Sequence, residues 1–309
     1  MGVPGDSVIA HLESAYGVPI TGLAALDRDV WRADRADGST WVVRIFPPQR
    51  PVAAVEEDAV ILDRLEAAGF PAERRVGPVS TLDGRGVLVT GFVVGEDSQR
   101  PGTTFAVLGG LLGSLHQRLA HGVRAGGAWH HLAPTGGPEE EVGAALALLQ
   151  TTLASSSGAD EARCAMLLDA VAGIDDAADL PHAFVHPDFV PANAIQVGER
   201  SLVMVDWAGA GRGPRLWSLA FLLWAGGVLD LRLVDVAVSR YRRHVQPTQD
   251  ELDRLAGVLW ARPVLIECWS VAAGRRSLAE AVASLRWAQR QAARIAERAV
   301  ERFHAPAEQ

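Results

Sequence analysis

The chain contains no lysine: all 29 of its basic residues are arginine. Any chemistry that needs a side-chain ammonium is therefore excluded, and every cationic role falls to a guanidinium. Cysteine is nearly as scarce. Cys164 and Cys268 stand far apart, without metal-type spacing, so a disulfide framework is excluded and two buried thiols in a reducing compartment are expected. The N-terminal "MGVPGDSVIAHLES" lacks a basic region followed by a long apolar run, so no signal peptide is expected and the localisation reads as cytoplasmic. The longest apolar run, "LWSLAFLLWAGGVL", is too short to span a bilayer and reads as a buried helix; no membrane partner is expected. A basic surface is missing as well. The net charge of -8 argues against a nucleic-acid partner and leaves two readings, acidity for solubility or for a cationic small substrate. Long polar tracts and internal repeats are absent, and 309 residues, 49% of them apolar, suffice for one large domain or two coupled lobes.

The first ninety residues are rich in strand signals. Asp29–Asp34 and Thr40–Phe46 are β-prone runs separated by "RADGS", a hairpin turn signal. From about Val52 to Ala68, Val55, Ala59, Leu62 and Leu65 recur at helical spacing, and Gly69 closes the segment. "RGVLVTGFVVG" reads as a buried strand. Beyond Gly95 the pattern turns helical, with amphipathic stretches over Leu108–Leu119, Glu139–Leu153 and Glu161–Val171. A short hairpin, "NAIQV" and "LVMVDW" around the turn "GERS", interrupts them. Helices resume at Leu216, and the last covers about Ser277–Phe303. The expected organisation is a small lobe over 1–92, a linker near 90–97, and a larger helical lobe over 93–309.

One stretch carries chemistry. "HPDFVPAN" places Asp188 and Asn193 at the two ends of a loop that enters a strand, and the hairpin folds Asp206 back beside Asn193. An Asp can serve as base or orienting acceptor for a hydroxyl, while an Asn oxygen and a carboxylate together suit a hard cation such as Mg2+. Turn capping would explain any one of the three residues but explains the triplet poorly. His186 is read as a support for the loop backbone.

H-x-D-x-x-x-x-N followed by an apolar strand and V-D-W resembles the catalytic loop and metal segment of the aminoglycoside phosphotransferase family. "GVLVTGFVVG" resembles its hinge strand, "LGGLLGSLHQRL" its helix with a Leu-His pair (Leu115-His116), and "GRGPRLWSLAFLL" the segment after the metal Asp, all in the family's order. The resemblance implies an α+β, bilobal protein-kinase-like fold, with a small antiparallel-sheet N-lobe and a larger, mainly helical C-lobe. It also implies ATP- or GTP-dependent phosphorylation of a hydroxyl on a small molecule, with Asp188 as catalytic base and Asn193 and Asp206 on Mg2+. Backbone groups of Thr90 and Phe92 would hold the purine edge, between Val89 and Val93 as apolar walls.

The departures from the family pattern are specific. Where the family has a lysine on the third strand, "WVVRIF" has Arg44, which can hold phosphate oxygens bidentately. The resemblance implies an acid on the next helix as its partner: Asp58 has the right spacing to Leu62 and Leu65, and Glu57 is the alternative. "GLAALDRDV", the stretch in the place of the phosphate-covering loop, has only Gly22. Ser218 stands where the family usually has an Asp bracing the catalytic loop. For the acceptor, Glu267, the run Glu139–Glu141, Arg212, Arg215 and the six tryptophans from Trp207 onward are candidates, each with an ordinary structural alternative. Three readings follow: a kinase of an aminoglycoside-like or other antibiotic, a kinase of a metabolite such as choline, homoserine, a sugar or a biosynthetic intermediate, and a non-catalytic nucleotide binder.

Overall fold

The computed structural model describes residues 3–96, 100–118 and 123–306. The chain forms two compact units, Met1–Asp97 with Ala194–Ala208, and Ser98–Asn193 with Gly209–Gln309.

The first unit opens with helix α1 (Gly5–Tyr16), followed by β1 (Ile20–Asp27), β2 (Val30–Arg35), β3 (Thr40–Ile45), α2 (Val52–Ala67), β4 (Ser80–Leu82) and β5 (Arg85–Gly91). The strands make one antiparallel sheet in the order β1-β2-β3-β5-β4. On β3 alternate residues are buried: Trp41, Val43 and Ile45 join Val8 and Leu12 of α1 in a core with Val87 and Val89 of β5. The period of two puts Thr40, Val42 and Arg44 on the opposite face. Helix α1 was not among the elements expected from the sequence.

The second unit supplies α3 (Pro101–Arg118), α4 (Pro138–Ala154), α5 (Ala159–Ala172) and β6 (His182–Val185). A 3-10 turn, Pro191–Asn193, then leads into the hairpin β7 (Ala194–Gly198) and β8 (Ser201–Met204). That hairpin belongs to the first unit, whereas the sequence suggested a single crossing near residue 92. Backbone pairing is the reason. Glu96 and Gln196 exchange N–H to carbonyl bonds of 3.0 and 3.1 Å, Met204 N–H donates to Pro71 O, and Glu73 N–H donates to Met204 O. The chain then returns through β9 (Gly211–Pro214), paired with β6, to α6 (Arg215–Gly227), α7 (Leu231–Tyr241), α8 (Gln249–Ala272) and α9 (Leu278–His304).

Helix α6 is the apolar run noted above, and nearly all of it is buried. Its glycine pair permits close packing: a Cβ on Gly227 would stand 2.4 Å from Ile295 Cγ1 of α9, and one on Gly226 2.8 Å from the Phe105 ring of α3. Helix α8 is long and apolar enough to cross a membrane by length and composition, yet 61% of its most apolar window is buried inside the fold.

Helix α2 packs on β5, where Gly86 leaves room for Val55. On its buried face Asp58 accepts a 2.6 Å bond from Arg50, and both side chains are about 1% exposed. Removing one partner of a buried ion pair strands the other charge, so Asp58→Ala should cost about 3–5 kcal/mol of stability, read as a lowered denaturant midpoint.

Candidate active site

In the first unit, Arg44 projects from β3 away from the α1 core. Its Nη1 lies 3.3 Å from Asp206 Oδ1 and 3.8 Å from Glu73 Oε1. Burial alone would lower the guanidinium's pKa, but the fields of Asp206, Glu73 and Asp58 outweigh burial and hold it above its ordinary value. Among the described residues, Arg44 makes its ion pairs with these first two acids. Asp58, expected as its partner, is bonded to Arg50 instead and reaches Arg44 only as part of the surrounding field. The physical reason lies in the short acid and in Arg50, a guanidinium nearer on the chain, buried over the Phe46 ring.

Asp206 follows β8 in a left-handed backbone conformation, φ 67°. For a non-glycine residue this costs about 1–2 kcal/mol, and a hydrogen bond to a charged group returns about 1.5–3 kcal/mol. The Asp206 N–H donates such a bond to Glu73 Oε1 at 2.7 Å. Trp207, fully buried against Phe70, closes the turn by donating its indole N–H to Met204 O at 2.9 Å. The "VDW" motif is thus an Asp exposed by a strained turn and a Trp that locks it. Glu73, 4% exposed, was not singled out in the sequence because it sits in "PAERRV", a connection without periodicity. Its Oε2 accepts from the Thr90 hydroxyl at 2.7 Å.

At the hinge, Thr90 is buried on β5 and Val89 is fully buried. The Phe92 N–H, expected to meet a purine, donates instead to Thr40 O at 3.0 Å, and Arg32 stacks on the Phe92 ring. "GLAALD" is not a loop either: it is β1, paired along its length with β2, and the connection is the two-residue turn Arg28-Asp29. Asp29 there is a structural residue, bonded to Arg85 at 2.7 Å and to the Val3 N–H at 3.0 Å.

In the second unit, Asp188 lies in a loop whose backbone is held from several sides. Its carbonyl accepts from Val190 N–H and from Asn193 Nδ2, both at 2.9 Å, and its N–H donates to His186 Nδ1 at 3.0 Å. Behind the loop, buried Ser218 of α6 accepts from His186 N–H at 3.1 Å and donates to His186 O at 2.7 Å. One hydroxyl thereby grips both backbone groups of a single residue, and the brace needs no charge. His186 supports the loop rather than facing a reactant.

The Asp188 carboxylate pairs with Arg262 of α8, whose guanidinium stacks over Trp129 at 5.2 Å and Phe221 at 4.8 Å. Glu141, at the start of α4, accepts from the Trp129 N–H at 2.9 Å. Burial pushes its carboxyl up to about 7; the Trp129 bond and Arg262 oppose the rise, and Asp188 adds to it. His116, bonded through Nδ1 to the Tyr241 hydroxyl at 2.9 Å, is driven down to about 3 by burial and by Arg215, so it stays neutral.

The other acceptor candidates are engaged. Glu267 pairs with Arg276 and accepts from Ser284, Glu140 accepts the Gly137 N–H as a helix cap, and Arg215 is held bidentately by Glu251. Arg212 is exposed on β9. Trp207 and Trp217 are core residues, Trp269 is half-buried under Arg275, and Trp287 is 47% exposed.

A divalent cation suits the donors present. Asn193 commits its amide nitrogen to Asp188 O, which leaves the amide oxygen as a ligand, and Asp206 supplies a carboxylate. Among the described residues no group of three or more His, Cys, Asp or Glu could hold a metal. An amide oxygen and a carboxylate are each hard oxygen donors of the kind Mg2+ takes alongside phosphate and water.

An antiparallel five-stranded sheet followed by helices, with an Asp-to-Asn loop and a hairpin ending in Asp, defines a small-molecule kinase of protein-kinase-like fold. The sequence pattern of the phosphotransferase enzyme family matches residues 20–258, and the chain belongs to that family. Solved structures agree in fold. An amicoumacin kinase in complex with AMP-PNP, Ca2+ and its ligand is 17% identical with a TM-score of 0.66, covering 95% of this chain and 96% of that one. A spectinomycin phosphotransferase bound to ADP and spectinomycin is 13% identical, TM-score 0.65, covering 96% and 100%. A choline kinase from Streptococcus pneumoniae is 14% identical, TM-score 0.62, covering 94% and 98%. No curated protein matches the chain.

Two outcomes test this geometry. Glu141 binds its proton more tightly folded than at its ordinary 4.5, so the folded state holds more protons between about 4.5 and 7. Stability therefore falls as pH rises through that window, by up to about 1.4 kcal/mol per unit. Glu141→Gln should flatten that part of the stability profile and raise the melting temperature at pH 8. Arg262→Met, by releasing Asp188 from its clamp, should lower kcat by roughly 10²-fold while nucleotide affinity holds.

Proposed function

We propose that the chain is a cytoplasmic, Mg2+-dependent kinase that transfers the γ-phosphate of ATP or GTP to a hydroxyl of a small antibiotic-like molecule. The observation that carries this reading is Asp188, fixed through its backbone to Asn193 and His186 with its carboxylate presented beside Arg262. In-line transfer asks little covalent chemistry of a protein and much positioning. Asp188 accepts the proton of the acceptor hydroxyl as its oxygen bonds to the γ-phosphorus and the nucleoside diphosphate leaves. Arg44 orients the non-transferred phosphates with its planar fork. Asn193 and Asp206 would hold Mg2+, which neutralises charge developing on the transferred group. The free, buried thiols support a reducing compartment.

A second acceptor class, a neutral or singly charged metabolite, is favoured by one observation. Of the acids that could gather a polycation, Glu140, Glu141 and Glu267 are already bonded within the second unit, which leaves Glu139 exposed at the start of α4. Relatives in fold include both kinds, antibiotic kinases and a choline kinase.

Nucleoside-diphosphate release with Mg·ATP and Mg·GTP, across aminoglycosides, other hydroxylated antibiotics, amino alcohols and sugars, separates the two. One acceptor class should stimulate release. Asp188→Ala should reduce that turnover by roughly 10²–10⁴-fold with nucleotide binding intact; loss of binding in this variant would remove Asp188 from the role of base.

A further inference from the structure

We propose that Glu73 is the positioning residue of the nucleotide–metal site: it fixes the backbone of Asp206 and ties it to the hinge strand. The inference rests on the kinase reading above, in which Asp206 serves the cation. Glu73 is 4% exposed, and each of its carboxylate oxygens is committed. Oε1 receives the Asp206 N–H and Oε2 the Thr90 hydroxyl, both at 2.7 Å, while Arg44 stands 3.8 Å away.

These contacts meet a need that nothing on helix α2 meets. Asp58 is bound to Arg50, so the helix supplies no direct partner to Arg44. Asp206 holds a left-handed backbone that needs support from outside its own turn. Glu73 can give it because its own N–H donates to Met204 O, two residues before Asp206. One buried carboxylate thus links β5, which carries the hinge, to the turn that carries the metal ligand. Groups behind a metal ligand orient it in this way, and losing them weakens metal binding without abolishing the ligand.

The test is calorimetric titration of AMP-PNP with and without Mg2+, followed by Mg2+ titration at fixed AMP-PNP. Glu73→Ala should raise the Mg2+ needed for half-maximal binding by about 10–100-fold, leaving metal-free AMP-PNP affinity near the wild-type value. Glu73→Gln, which can still accept from Asp206 and bond to Thr90, should stay close to wild type. A Glu73→Ala variant with unchanged Mg2+ demand overturns the proposal. So does a Glu73→Gln variant as impaired as Glu73→Ala, since the role would then be charge alone. If Glu73→Ala does not fold, Thr90→Val takes its place: a smaller rise in the same direction supports the anchor, and no rise overturns it. Failure of the wild-type protein to bind AMP-PNP in any metal would defeat the kinase reading itself, before a variant is made.

Discussion

A guanidinium half-buried on a sheet face is tolerable only where acids surround it, and Arg44 sets that requirement for the first unit. Asp206, Glu73 and Asp58 all contribute to the field that raises its pKa against the effect of burial. The strand alternation of β3 decides which face it occupies, and the return of the hairpin brings Asp206 to it. A chain without lysine has no smaller cation to offer. The wider, planar head of arginine fits a site with two flanking carboxylates, 3.3 and 3.8 Å away, better than a site built around a single helix acid.

The second unit solves a different problem, how to hold a loop still without a buried charge behind it. A serine that both donates to and accepts from His186 satisfies two backbone groups at once, without a carboxylate at that point. The charge that does enter is Arg262, and its burial is eased by the faces of Trp129 and Phe221. Glu141 bears the remaining cost as a raised pKa.

Much of this was legible in the residues. The spacing from Asp188 to Asn193, the hairpin and the terminal Asp206 are local, and local patterns survive into structure. The helices over 52–68, 139–153, 161–171 and 277–303 emerged within a few residues of their periodic runs; Leu119, the expected end of another, lies outside the described residues. What failed to show depends on distant pairing. Glu73 sits in a connection whose meaning comes from β8, more than a hundred residues later. The stretch "GLAALD" lacks the alternation of a half-buried strand because β1 lies at the sheet edge and is largely exposed. The bond from the Phe92 N–H to Thr40 O, across the sheet, is likewise one that no reading of "VTGFVV" alone supplies.

The hairpin's allegiance has a consequence for biosynthesis. Residues 194–208 complete the first unit, yet they leave the ribosome after a long stretch of the second. The bond between Glu73 and Asp206 spans 133 positions. The N-terminal sheet must therefore wait, with β8 not yet paired and Glu73 Oε1 without the Asp206 N–H, until about two thirds of the chain has emerged. During that interval the backbone of the Pro71–Glu73 connection lacks its partners and is open to mispairing, and a nascent-chain chaperone would have most to protect there.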